Sequence, residues 1–293
     1  AEPRITVVVP SYCPQAAHLH ALHASLAAQT LQDFEVVLVD DGSPQADYAP
    51  LAGARYRVLR QPQNRGPAAC RNAGAAAARS PLLFFTDTDC TLAPETLAVA
   101  HAALARHAIV AGDTRTRIET WFGRLVALLG FPGGGCIGFH RVWRVDADGT
   151  AYSFSSCNVA FRRATFEALG RFPESFPVAG GEDTVLARRA VEAGTPPHYQ
   201  REQVVWHVEK RDLRGFIRWQ LVRGRGNYHI RQHVSRVRGY LWLRLWTFKN
   251  SFIAAGWRDA LPVALLLWLS VTLQGIGYYR EKARMRRGAP RSL

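Results

Sequence analysis

Between residues 4 and 113 the chain alternates between two kinds of short segment, and this alternation limits the folds open to it. The runs 5–9, 34–39, 56–59, 82–85 and 108–111 are β-branched or apolar, the pattern of strands buried on both faces. Between them, 16–29, 67–79 and 95–106 are rich in Ala and Leu at helical spacing. Strand, helix, strand, repeated, predicts a parallel sheet with helices on both sides. Such sheets bind ligands beyond the carboxyl ends of their strands. The segments that follow each strand are therefore the places to look for chemistry.

The rest of the chain is less regular. A helix is expected over 116–130, then the Gly-rich stretch 131–135, a mobile hinge or flap by composition. Strands are expected at 141–145 and 157–161, helices near 163–169 and 182–193, and helix throughout after 211. Residues 260–279 contain no charge. This divides the chain into 1–113, 114–210 and a helical tail, 211–293, the first two being halves of one domain.

Charge follows the same division. The 293 residues carry a net charge of +14, but residues 1–150 hold 13 basic and 13 acidic side chains, 151–200 hold 5 and 5, and 201–293 hold 19 and 5. The excess lies wholly in the last third, which needs an anionic partner. A composition 48% hydrophobic and 20% charged excludes a disordered, collagen-like or multi-span membrane chain. The five cysteines have neither disulfide-frame nor zinc spacing and read as side chains of a reducing compartment. The first residues are too few and too polar for a signal peptide, so the domain is expected to face the cytosol.

The strand ends carry the polar residues. The first ends at Pro10-Ser11-Tyr12 and the second at Asp40-Asp41-Gly42-Ser43. Tyr12 can stack on a nucleobase while Asp40 accepts from a ring N–H; equally, the second sequence is a turn that starts a helix. After the third strand, a Gly-containing segment opens a helix at 67, with Arg71 one turn in, where a phosphate would meet a fixed cation. The fourth ends in Asp87-Thr88-Asp89. Two carboxylates so spaced where a strand leaves the sheet call for a cation, and oxygen ligands select Mg²⁺ or Mn²⁺, whose natural partner is a diphosphate. Asp183, at the start of a helix, is an N-cap or a general base. His207, at the end of a strand, is a core histidine or a third metal ligand.

In order from residue 4 to about 230 these segments resemble the family 2 glycosyltransferases. The resemblance rests on Pro-Ser-Tyr, Val-Asp-Asp-Gly-Ser, Asn-x-Gly-x(4)-Arg-Asn-x-Gly, Asp-Thr-Asp with Pro94 beyond, Asn158 in Cys-Asn-Val-Ala-Phe-Arg-Arg, and Glu-Asp before a helix. It implies a GT-A-like, Rossmann-type three-layer sandwich with a mostly parallel central sheet, and an inverting, metal-dependent transfer of sugar from a nucleotide diphosphate to a hydroxyl. It implies that Pro10, Ser11, Tyr12, Asp40, Asp41, Arg71 and Asp87 hold the donor, and that Asp87, Asp89 and His207 hold Mg²⁺ or Mn²⁺. Asp183 becomes the catalytic base, and Asn158 and Glu182 face the donor sugar or acceptor. The donor would be UDP-, GDP- or dTDP-linked, and the acceptor a glycan or lipid-linked hydroxyl of the cell envelope.

In the tail, Trp242, Leu245, Trp246, Lys249 and Phe252, with Arg244 beside them, fit a helix in the membrane interface, followed by an apolar 260–279 just long enough to span a bilayer. The flanking 280–287 is strongly basic, as at an anionic cytoplasmic leaflet. The tail is thus a helical membrane-associating segment at the cytoplasmic face, peripheral or monotopic, with one spanning helix as the competitor. Two rivals remain: a nucleic-acid binder using 223–227, whose strand-end carboxylates would repel a polyanion, and a sugar nucleotidyltransferase, whose Gly-rich loop is replaced by Pro10-Ser11-Tyr12. The G-x-G-x-x-G match at 133–138 lacks its strand-turn-helix context, and His18, His20 and His23 read as a solvated helix surface.

Overall fold

The computed structural model describes residues 2–51, 53, 55–176, 180–233 and 238–287, with the side chains of Pro50, 238–242 and Arg244 left aside. Trp242 and Arg244 of the expected interfacial stripe thus lie outside the described side chains. β1 (Ile5–Ser11) and β2 (Phe34–Asp40) are buried along their whole length, as apolar runs in mid-sheet must be. β3 (Tyr56–Arg60), β4 (Leu82–Phe85), β5 (Cys90–Leu92), β6 (Ile109–Arg117), β7 (Val159–Arg162) and β8 (His198–Val208) complete one sheet, in the order β3-β2-β1-β4-β7-β6-β8-β5. β3, β2, β1 and β4 run parallel. β7 is antiparallel to both β4 and β6, β8 is parallel to β6, and β5 is antiparallel to β8. The mostly parallel, three-layer α/β expectation holds.

Helices cover both faces. α1 (Ala16–Ala27) and α3 (Thr96–Leu104) pack Leu19, Leu22, Leu26, Leu97 and Leu104 against Val7, Val9, Leu38 and Phe84. On the other face, α5 (Arg163–Ala168) and α6 (Glu182–Glu192) place Phe166 and Leu186 with Val8, Phe85, Phe161 and Phe172. α2 (Pro67–Ala77) lies so close to β1 that a Cβ on Gly74 would sit 2.4 Å from Val8 Cγ1.

The chain leaves β1 for β2 and β3 on one side and returns to β4 on the other. Their carboxyl ends form a topological switch point, where a crevice must open. Asp87 and Asp89 follow β4 there, and Ser11 and Tyr12 end β1.

Three expectations are corrected. The helix over 116–130 begins only at α4 (Trp121–Leu128), because β6 runs on to Arg117 and the Thr120 hydroxyl caps the Gly123 N–H at 2.9 Å. β6 therefore also crosses the division drawn at 113. The strand at 141–145 is a 3₁₀ turn (Phe139–Arg141) followed by a single bridge from Val145 to Ala151. The Gly-rich 133–135 is a packed turn: a Cβ on Gly135, at φ +58°, would lie 1.9 Å from the Ala127 carbonyl oxygen.

After β8, α7 (Leu213–His233) and α8 (Arg238–Arg286) lie against each other. α8 breaks at Gly256 (φ 63°, ψ −174°), a conformation glycine reaches without a Cβ clash.

Candidate active site

A cavity of about 950 Å³ opens at the switch point, at the upper end of the roughly 300–1,000 Å³ usual for small-molecule sites. Pro10, Ser11, Tyr12, Asp41, Arg71, Asp87, Asp89, Glu182, Asp183 and His207 all line it, although they come from segments up to about two hundred residues apart. Tyr12 is half exposed.

Arg71, one turn into α2, is 3% exposed. Its Nη2 donates to Asp87 Oδ1 at 2.7 Å and its Nη1 to Glu182 Oε1 at 3.0 Å, while its Nε is buried without a hydrogen-bond partner. Burial would make the guanidinium easier to deprotonate, but the carboxylates of Asp87 and Glu182 outweigh it and raise its pKa above the ordinary value. Glu182 also accepts from Gly180 N at 2.9 Å. Its carboxylate is committed to holding Arg71 and the loop before α6, a positioning task.

Asp89 and His207 are brought together by a very short strand pairing. Cys90, the first residue of β5, stands opposite His207 in β8, and Val208 N donates to Asp89 O at 3.1 Å. His207 Nδ1 is 2.8 Å from the Val208 carbonyl, so it donates there, and Nε2 is left facing Asp89 Oδ1 at 3.4 Å. An imidazole so held beside a carboxylate suits a divalent cation. Burial raises Asp89's proton affinity, but the His207, Lys210 and His18 charges outweigh it and lower its pKa. Cys90 Sγ joins the same cluster. Burial and the neighbouring Cys157 push its pKa well up, so without a metal it is a neutral thiol.

Asp183 is the second residue of α6, with Gly181 as the cap residue, which settles against the N-cap reading. Oδ1 accepts from Thr184 N at 2.7 Å. Burial raises its pKa, and the backbone bond and the Arg71 and Arg223 charges only partly offset this.

Two donor candidates work from behind the cavity wall or on its loops. Asp40 is 1% exposed; its Oδ1 accepts from Ser43 N and Oγ and from Tyr48 OH, while Oδ2 makes no hydrogen bond and has Arg60 Nε at 3.6 Å. Asp41 spends both oxygens on the loop before α2, accepting from Arg65 N and Gly66 N at 2.8 Å each.

Asn158 is a correction. It is fully buried, and its amide is exchanged with Gln203: Nδ2 donates to the Gln203 carbonyl and Oδ1 accepts from Gln203 Nε2, both at 3.0 Å. It fills the irregularity beside Gly112, where β6 and β8 shift register, and does not line the cavity.

Several cavity residues escaped the sequence reading. His18, taken for helix surface, lines the cavity near Asp89. Trp219, Arg223, Asn227 and Ile230 form one face of α7 along the opposite wall, a helical spacing that was legible. The Arg223 guanidinium lies 3.9 Å from the Phe131 ring centroid and 5.1 Å from that of Trp219. In the Arg-Gly-Arg-Gly-Asn sequence that suggested nucleic acid, the three middle residues are packing: a Cβ on Gly224 would lie 2.2 Å from Gln274 O, one on Gly226 2.1 Å from Gly180 O, and Arg225 pairs with Glu281.

The sequence profile of Glycosyl transferase family 2 matches residues 6–170. The chain is similar to a Streptomyces hygroscopicus validoxylamine A glucosyltransferase, with 32% identity over 242 residues that are 71% of this chain and 55% of that protein. It is also similar to the succinoglycan biosynthesis protein ExoW of Rhizobium meliloti, 38% identical over 111 residues, 35% of this chain and 34% of that one. It thus spans about half or less of the length of these relatives. Among solved structures, the Pyrobaculum calidifontis mannosyltransferase PcManGT, in complex with GDP-Man and Mn²⁺, shares the fold at a TM-score of 0.56 and 21% identity, over 96% of this chain and 84% of that one.

Proposed function

The chain belongs to glycosyltransferase family 2, and from that membership and the cavity's geometry we propose that it moves a sugar from a nucleotide-diphosphate donor to an acceptor hydroxyl with inversion at the anomeric carbon. The observation that carries this reading is convergence: a buried cation, a carboxylate–imidazole pair and a carboxyl of raised basicity face one cavity. Each comes from a different part of the chain.

In this reading Tyr12 stacks on the base, and Asp40 Oδ2, which accepts no hydrogen bond and has Arg60 Nε at 3.6 Å, accepts from a base N–H. Arg71, held by Asp87 and Glu182, faces the diphosphate with a guanidinium that cannot lose its proton. Asp89 and His207 would hold Mn²⁺ or Mg²⁺, which when bound neutralises charge developing on the leaving diphosphate. Asp183 accepts the proton of the acceptor hydroxyl as its oxygen attacks the anomeric carbon. The bond from that carbon to the diphosphate oxygen breaks on the opposite side, and the electron pair leaves with the nucleotide. Donor identity is drawn from UDP-, GDP- and dTDP-sugars, and the acceptor from glycans or lipid-linked glycans of the cell envelope, in keeping with the succinoglycan relative.

The test is turnover of a panel of nucleotide sugars with Mn²⁺ or Mg²⁺ and a mixed acceptor pool, with the anomeric configuration of product read by NMR. Metal-dependent release of one nucleoside diphosphate with an inverted product is expected. A retained configuration would overturn the single-displacement mechanism.

A further inference from the structure

Residues 245–287 contain two acidic side chains, Asp259 and Glu281, and the fold buries both. Asp259 pairs with Arg124 of α4, and Glu281 accepts from Arg225, His229 and Arg284. Beyond the break at Gly256 the inward face of α8 carries Val263, Leu266, Leu267, Ser270 and Glu281, all under 10% exposed. The opposite face carries Trp257, Leu261, Leu265, Trp268, Ile276 and Tyr279, between 40% and 84% exposed. Their spacing of three or four residues, or a multiple of it, keeps them on one line. At about 1.5 Å per residue that line runs roughly 33 Å. Of the 18 most apolar consecutive residues, 28% are buried in the protein.

The exposed charges bordering this line are of one sign. Arg258 stands at one end, and Arg280, Arg286 and Arg287 at the other, with the half-buried Lys282 between them. An apolar stripe with tryptophan at two levels and cations at its ends matches the acyl boundary and anionic headgroups of a bilayer leaflet.

We infer that the outer face of α8 is a docking surface for an anionic lipid bilayer, on which the helix lies in the membrane plane and does not cross it. The in-plane orientation follows from α7. The two helices meet backbone to backbone: a Cβ on Gly277 would lie 2.2 Å from Leu221 O, and one on Gly224 2.2 Å from Gln274 O. A crossing α8 would carry α7 into the hydrocarbon with the charges of Arg218, Arg225 and Arg231 and the polar ring of His229, which the membrane interior rejects. Lying flat leaves α7 and the cavity on the water side and buries only the stripe.

The experiment is flotation of the full chain with phosphatidylcholine vesicles, with or without phosphatidylglycerol. Binding is expected only with the anionic lipid. It is expected to fall at least about tenfold as salt rises from about 0.1 M to about 1 M, where the screening length shrinks to about 3 Å. The variant Trp257→Ser/Trp268→Ser, on exposed positions, is expected to lose flotation with unchanged circular dichroism and thermal midpoint. A second variant, Arg280→Gln/Arg286→Gln, is expected to lose the preference for anionic vesicles. Equal binding to both vesicle types overturns the charge argument. Protein released only by detergent, and not by alkaline carbonate, overturns the in-plane orientation in favour of a span. Self-association in the absence of lipid that the tryptophan variant abolishes assigns the face to a second copy of the chain and overturns the proposal.

Discussion

A carboxyl that burial has made more basic, set next to an arginine held by two other carboxylates, fits a proton acceptor better than a structural cap, and this makes Asp183 the most informative residue to change. Asp183→Asn keeps the shape and the Thr184 N–H contact but cannot take a proton. Transfer is expected to fall by at least about a hundredfold to ten-thousandfold, the usual contribution of general acid–base catalysis, while the donor dissociation constant measured by calorimetry changes little. Because the base must be ionised and its pKa is raised, the rate is expected to fall on acidification through a pKa above the ordinary aspartate value of about 3.9. A wild-type profile flat down to that value would remove Asp183 from the role. His207→Ala is expected to weaken Mn²⁺ binding at least about tenfold, read by electron paramagnetic resonance of free Mn²⁺, and an unchanged affinity would exclude this side chain as a ligand. That Asp89 and His207 share one cavity agrees with the resemblance, whereas the histidine alone read equally as a core residue. Asn158 was assigned to the sugar or acceptor on the resemblance alone, whereas here it fills the register shift beside Gly112. His18 was missed because only tertiary packing shows which side of α1 meets the cavity.

At the scale of elements, the buried central strands were the legible part, since strands covered on both faces must be apolar throughout. β5 has three residues, too few for any periodicity. The first half of β8, His-Tyr-Gln-Arg-Glu, is partly exposed and polar, so neither alternation nor an apolar run marks it. Yet the pairing of these two strands puts His207 beside Asp89. α7 and α8 read as basic helices, but their mutual packing depends on glycines and one carboxylate that carry no periodic signal. Glu281 is 2% exposed. Burial alone would raise its pKa; hydrogen bonds from Arg284 and His229 and the charge of Arg225 outweigh this and hold it down to about 2. A folded-state pKa below the unfolded value means that the carboxylate stabilises the fold fully above about pH 4.5 and loses that contribution as pH falls toward 2. Glu281→Gln is therefore expected to cost about 2–3 kcal/mol at neutral pH, a fall in thermal midpoint of roughly 3–5 °C. The gap to wild type is expected to narrow in thermal melts at about pH 3. A gap independent of pH would mean that the side chain acts through packing alone.

For the whole molecule, the net charge of +14 resolves into a balanced α/β body and a cationic tail, and the balance within the body is uneven as well. Asp87, Asp89, Glu182 and Asp183 face one cavity, with Arg71 as the cation in hydrogen-bond contact with two of them. Glu182 and Asp183 lie side by side with raised proton affinity, so a cation bound among these carboxylates adds stability. The cavity also joins distant parts of the chain: Arg71 and Glu182 are 111 residues apart, and its walls include α2, the β4 end, α6 and α7. A ligand spanning these walls stabilises the fold as a unit, by about 2.7 kcal/mol at a hundred times its dissociation constant, or roughly 4 °C in thermal midpoint. UDP, GDP and dTDP, each with Mn²⁺, are accordingly expected to separate in a thermal-shift measurement, the largest shift identifying the base that Asp40 accepts from. Chelation by EDTA is expected to abolish most of that shift. In Asp89→Asn the metal-dependent part is expected to vanish and the midpoint without ligand to fall slightly, since the lowered pKa of Asp89 means that its ionised carboxylate favours the fold. A shift that survives both EDTA and Asp89→Asn would place the diphosphate on Arg71 alone and dismiss the metal from donor binding.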